Sequence, residues 1–139
     1  MRIVFMVLSV LLVLTGCMAG VDTAPDSALE MRAAVGRSAH VLRETHIVDR
    51  NSTSVVATLA ARSQQCLTAP QMTRNGAEHV ELVAYVAEAR IPMLVVDVRE
   101  TPAGGTELVI TRDTRAGDGE AAAILAWAGG TTHPCPTKG

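Results

Sequence analysis

Four histidines, three cysteines and a scatter of serines and carboxylates are the residues of this chain best suited to chemistry. His40 and His46 stand six positions apart in a β-branched stretch, so on a strand they share one face. With His79 they form the best candidate set for zinc or copper, provided that segments 41–48 and 79–87 pair. Solvent-exposed strand histidines account for them equally well, and no His-x-x-x-His spacing supports a metal. Ser38, Ser52, Ser54 and Ser63 are possible nucleophiles. None sits in a Gly-x-Ser-x-Gly elbow or a Ser-x-x-Lys box, and the one lysine is Lys138. Cys66 or Cys135 could pair with His133 as thiol and imidazole. Asp97 and Glu100 fall on opposite faces of one strand and so do not suit paired acid and base work. Asp97 stands alone in an apolar strand, where a solvated strand end or an arginine on an adjacent strand would explain it. Gly104-Gly105 and Gly117-Asp118-Gly119 lack the Gly-Lys pair of a phosphate loop and read as turns and caps. Asn51-Ser52-Thr53 fits a glycosylation sequon without further support. No catalytic residue, metal or cofactor is assigned, and the expectation is a protein that is not an enzyme.

The amino terminus is more informative. After Met1-Arg2 comes a largely apolar run from Ile3 to Thr15, then Gly16-Cys17, the layout of a secretory signal. Leu14-Thr15-Gly16-Cys17 resembles the lipobox of bacterial lipoproteins. The resemblance covers the export segment only. It implies that the signal is residues 1–16, that cleavage precedes Cys17, and that this thiol carries the lipid. Met18, where inner-membrane lipoproteins carry aspartate, implies an outer-membrane protein facing the periplasm. Two other readings remain: a membrane-spanning helix, for which Ile3–Val21 has 19 uncharged residues but a glycine-weakened second half, and ordinary signal cleavage near Ala19. Each buried lipid methylene contributes about 0.8 kcal/mol, so two or three acyl chains would hold the protein durably.

With Cys17 lipidated, Cys66 and Cys135 are an even remainder in an exported protein, which reads as one disulfide. Two buried free thiols are the other reading. A bridge over 69 residues would stabilise by roughly 4 kcal/mol in the chain-entropy picture.

Without residues 1–16 the chain has 123 residues and a net charge of −3. Such a charge does not suit a nucleic-acid binder. Tyr85 and Trp127 are then the only aromatics, so the core must be built from Val, Leu, Ile and Ala. Residues 17–25 read as lipidated cysteine and tether, and 26–139 as one small periplasmic domain.

Within it, Ala28, Met31 and Val35 recur at helical spacing over 26–36, with Asp26 or Ser27 as cap. Residues 41–48 read as a strand. Asn51-Ser52-Thr53 would cap a helix over 53–67 whose buried face carries Val56, Leu59, Ala60, Ser63 and Cys66 or Leu67. Strands are expected over 79–87, 93–99 and 106–113, the middle one buried on both faces. A last helix over 119–128 would end at Gly129-Gly130. The order α-β-α-β-β-β-α predicts an α+β domain, an antiparallel sheet of about four strands with helices packed on one face. The expected role is an accessory or interaction module of the bacterial envelope, with the membrane and an envelope protein as partners. An apolar-ligand or lipid binder, with a groove between sheet and helices, is the alternative.

Overall fold

Val41 to Val48 and the three later apolar segments are rich in the β-branched residues that favour extended backbone. In the computed structural model these runs lie side by side in one sheet. The structure describes residues 25–76, 78–86 and 90–137. The elements are α1 (Ala28–Ala34), β1 (Val41–Val48), α2 (Ser52–Cys66), β2 (Gln71–Arg74), β3 (His79–Tyr85), β4 (Pro92–Glu100), β5 (Thr106–Asp113) and α3 (Asp118–Ala128). The sheet order is β1-β5-β4-β3-β2, with every neighbouring pair antiparallel. The fold is α+β, as the sequence implies, with five strands rather than about four. The additional one, β2, is a short edge strand on β3.

Local chemistry explains the helix starts. Ser27 accepts the Glu30 N–H, and the Glu30 carboxylate accepts the Asp26 N–H at 2.7 Å, a reciprocal cap on α1. Asn51 Oδ1 accepts the Ser54 N–H at 2.8 Å and starts α2. Asp118 is the first residue of α3 rather than its cap, and there its carboxylate accepts from Arg112 Nε at 3.0 Å. Gly117 precedes it because of a close approach. A Cβ at that position would lie 2.7 Å from the Met93 carbonyl oxygen.

The sheet is covered on both faces. On one, Leu82 and Ala84 of β3, Leu94, Val96 and Val98 of β4, and Leu108 and Ile110 of β5 pack against α2 and α3. The buried stripe of α2 is Val55, Leu59, Ser63 and Cys66, so Val55 takes the innermost place expected of Val56. Trp127 of α3 is the largest side chain in this core. On the opposite face, α1 lays Met31 against Val41, Val83 and Val95, with Ala34, Val35 and Tyr85 around it. The expected arrangement, all helices on one face, therefore holds for α2 and α3 and fails for α1. The physical reason lies in β4. Its residues from Pro92 to Val98 are all buried, and such a strand needs cover on both sides. No helix among the described residues is long and apolar enough to cross a membrane.

Candidate functional site

The densest group of ionisable side chains lies where α1 meets the sheet. Asp97 occupies the middle of β4 and points to the α1 side. Its neighbour across the β3–β4 ladder is Glu81, one strand over. Two carboxylates directly opposite each other repel. Arg32 of α1 reaches down between them, donating from Nε to Asp97 Oδ2 at 3.1 Å and from a terminal nitrogen to Oδ1 at 2.6 Å. The same terminal nitrogen also bonds Glu81. His79, two residues before Glu81, places Nε2 2.7 Å from Asp97 Oδ1.

Asp97 is only 5% exposed. Burial pushes its carboxyl up, but the hydrogen bonds from Arg32 and His79 more than offset this and hold it below the usual aspartate range. The hydrogen bond to Asp97 likewise raises the Arg32 guanidinium. A charge-assisted, bidentate bond of this kind fixes orientation as well as energy. An imidazole oriented by a carboxylate can act as a general base, but that needs a nucleophile in reach. No hydrogen bond from a hydroxyl or thiol to His79 occurs among the described residues. Nor does any group of three or more His, Cys, Asp and Glu there have the arrangement to hold a metal ion. The four side chains together clamp a seven-residue helix to the sheet across two facing carboxylates.

A second constellation fixes the carboxyl terminus. Cys66, at the end of α2, is disulfide-bonded to Cys135. Trp127 Nε1 donates to the His133 carbonyl at 3.0 Å, and Arg62 donates to the same carbonyl at 2.8 Å. The Arg62 guanidinium also lies over the Trp127 ring, 5.5 Å from its centroid. Arg50 donates to the Trp127 and Ala128 carbonyls at 3.2 and 2.9 Å, placing a cation on the open carboxyl end of α3. At the opposite end of the sheet, Asp113 accepts from Arg115, which holds its carboxyl below the usual range despite burial.

The other residues of interest are scattered. Cys17 and Lys138 lie outside the described residues. Strands 41–48 and 79–85 do not pair, because β5 and β4 lie between them. His46 therefore faces the α3 side of β1 while His79 faces the α1 side of β3, and the His40–His46–His79 set is not assembled. Ser63 is buried and donates to the Ala60 carbonyl at 3.3 Å. Tyr85 donates to Gln71 Oε1 at 3.1 Å across β2 and β3. Asp97 is paired with an arginine, but one from α1 rather than from a neighbouring strand, and not at a solvated end. Arg32 carries no signal in the sequence beyond its place beside Met31 on the same short helix. No protein-family model matches the chain, and no curated protein is significantly similar to it.

Proposed function

We propose that this chain is a lipid-anchored protein of the bacterial envelope that acts as a non-enzymatic interaction module, attached through Cys17 to the outer membrane and facing the periplasm. The observation that carries this is the run Leu14-Thr15-Gly16-Cys17 directly after an apolar segment with one preceding arginine. The Cys66–Cys135 bridge supports it, because disulfides persist in oxidising, exported compartments. The packing supports an interaction role over an apolar-ligand one. Leu59, Leu82, Leu94, Val96, Ile124 and Trp127 fill the middle of the layer between sheet and helices, which leaves a ligand only rim clefts such as the one of about 330 Å³ between α2 and the sheet, lined by Val56 and Val80 but also by Arg74, Glu78 and Glu100. The ionisable clusters, each tied to a structural partner, are consistent with a scaffold.

The test is metabolic labelling with a clickable palmitate in cells making the wild-type chain or Cys17→Ala. Label on the wild type alone, with the variant released from membranes, is the expected result. Equal membrane association of both chains with no label on either would refute the anchor.

A further inference from the structure

The sheet ends on one side in β1, and β1 is where this protein is least finished. Its eight residues pair with β5 alone. The Thr114 N–H donates to the His40 carbonyl at 2.8 Å, so residue 40 sits at a hydrogen-bonding position of the β1–β5 ladder. In that register the backbone groups of residues 42, 44, 46 and 48 turn toward β5. Those of Arg43, Thr45 and Ile47 turn outward, where no hydrogen bond from another strand among the described residues meets them. The outer edge also carries unusual apolar exposure for a domain so poor in aromatics: Ile47 is 64% exposed and Leu42 43%. An open, long, partly apolar edge is a template for another strand.

We infer that β1 pairs with β1 of a second copy of this chain, antiparallel and about a two-fold axis through Thr45. The sequence of the strand selects that register. The outward-facing residues must pair with one another, which permits only alternate registers. A register centred on Glu44 sets Glu44 against itself, and one centred on His46 sets the two imidazoles together; both oppose like groups. Centred on Thr45, the strand places Glu44 opposite His46 of the partner subunit, twice, and Leu42 opposite Val48 of the partner subunit, twice. These fall at the non-bonded positions, where side chains approach most closely. On the other face the stem of Arg43 covers Ile47 of the partner subunit.

Two features of the single chain fit this register. The His46 side chain is 32% exposed, but its Nε2 is buried without a hydrogen-bond partner, 3.6 Å from Glu44 on its own strand, so a turn of the ring offers that nitrogen to the partner. Glu44 is held only loosely, 3.4 Å from Arg112, so it is able to turn outward. The axis lies perpendicular to the sheet, so both copies keep α2 and α3 on one side and α1 on the other. Two chains anchored in one membrane through the segment before α1 would meet in this orientation. The pairing itself draws on β1 alone and stands whether or not Cys17 is acylated.

The experiment co-expresses two full-length copies with different carboxyl-terminal tags, extracts them in mild detergent and measures capture of one by the other. Wild type is expected to capture wild type. Glu44→Lys sets lysine against His46, and His46→Glu sets glutamate against Glu44. Each variant alone should self-capture about tenfold less, as expected for two attractive cross-strand pairs made repulsive. A mixture of the two variants restores both pairs and should restore capture, which a misfolded chain would not do. Absence of wild-type capture, variants that self-capture at the wild-type level, or a mixture that fails to recover would each overturn the pairing. Cys17→Ala copies separate it from the anchor: capture should persist even where membrane association is lost. Capture that disappears with Cys17→Ala and ignores the charge exchange would show shared micelles instead of a paired strand.

Discussion

Replacing Arg32 with glutamine tests the clamp on α1 most directly. The substitution keeps much of the stem and removes the charge. Asp97 is then buried with His79 as its remaining side-chain partner, and Glu81 stands directly across the ladder from it. At a Cβ separation of about 5 Å and an effective dielectric of about 20, two unit charges repel by about 3 kcal/mol. Relaxation of Glu81, which is partly exposed, reduces this, and the lost guanidinium bonds to Asp97 add to it. The expected loss is about 2–4 kcal/mol at pH 7, within the lower range for removing one partner of a buried pair. For a domain of this size that is a fall in melting temperature of about 10 °C.

Chemical denaturation followed by far-ultraviolet dichroism at pH 7 and pH 3 is the assay. Because Asp97 is held below its ordinary range in the fold, the unfolded chain binds its proton first as pH drops. The stability from the clamp is therefore complete above about pH 4 and is lost as pH falls through the folded value. The gap between wild type and Arg32→Gln should thus be smaller at pH 3 than at pH 7. The double variant with Asp97→Asn should cost less than the sum of the two single changes. A loss under about 0.5 kcal/mol at pH 7, the size of an exposed ion pair, would refute the reasoning. So would a gap that is the same at both pH values, since that would place the effect in packing of the arginine stem.

Cys135→Ser should lower stability by about 2–5 kcal/mol and expose Trp127, whose Nε1 bond goes to the tail, giving a red-shifted tryptophan emission in the folded state. Gly117→Ala should cost about 1–3 kcal/mol, because its Cβ collides with the Met93 backbone and not with a movable side chain; an unchanged urea midpoint would contradict the close approach. Met31→Ala should cost about 2–5 kcal/mol and speed hydrogen exchange at α1 and the strand residues beneath it, while the α2–α3 side stays protected.

β1 and β5 were legible to the residue: β5 from its alternation, and β1 from its β-branched residues and the turn residues that follow it, although only Val41 of β1 is buried. β2 was not. Gln71-Met72-Thr73-Arg74 has one half-buried apolar residue, and it is a strand only because β3, just beyond residues 75–78, offers it a partner. The placement of α1 was half legible. The unbroken apolar run of β4 demanded cover on both faces, but nothing in Ala28–Ala34 says which side of the sheet it takes. The clamp was harder still. Asp97 announced itself as a charge in an apolar strand, while its partner lies 65 positions away on a helix whose docking must be known first. The bridge between Cys66 and Cys135 was readable because, with Cys17 set apart by its motif, two cysteines remain, and pairing two requires no knowledge of packing.

That bridge also divides the molecule topologically. It closes a covalent ring from residue 66 to residue 135 that contains β2, β3, β4, β5 and α3. Outside the ring lie α1, β1 and the body of α2, attached through a single strand of backbone. A protease nick anywhere inside the ring leaves both pieces joined, whereas one cut between α1 and β1 severs α1 and everything before it. The fold is thus a closed loop carrying an open arm, and the arm holds both α1 and the edge strand β1.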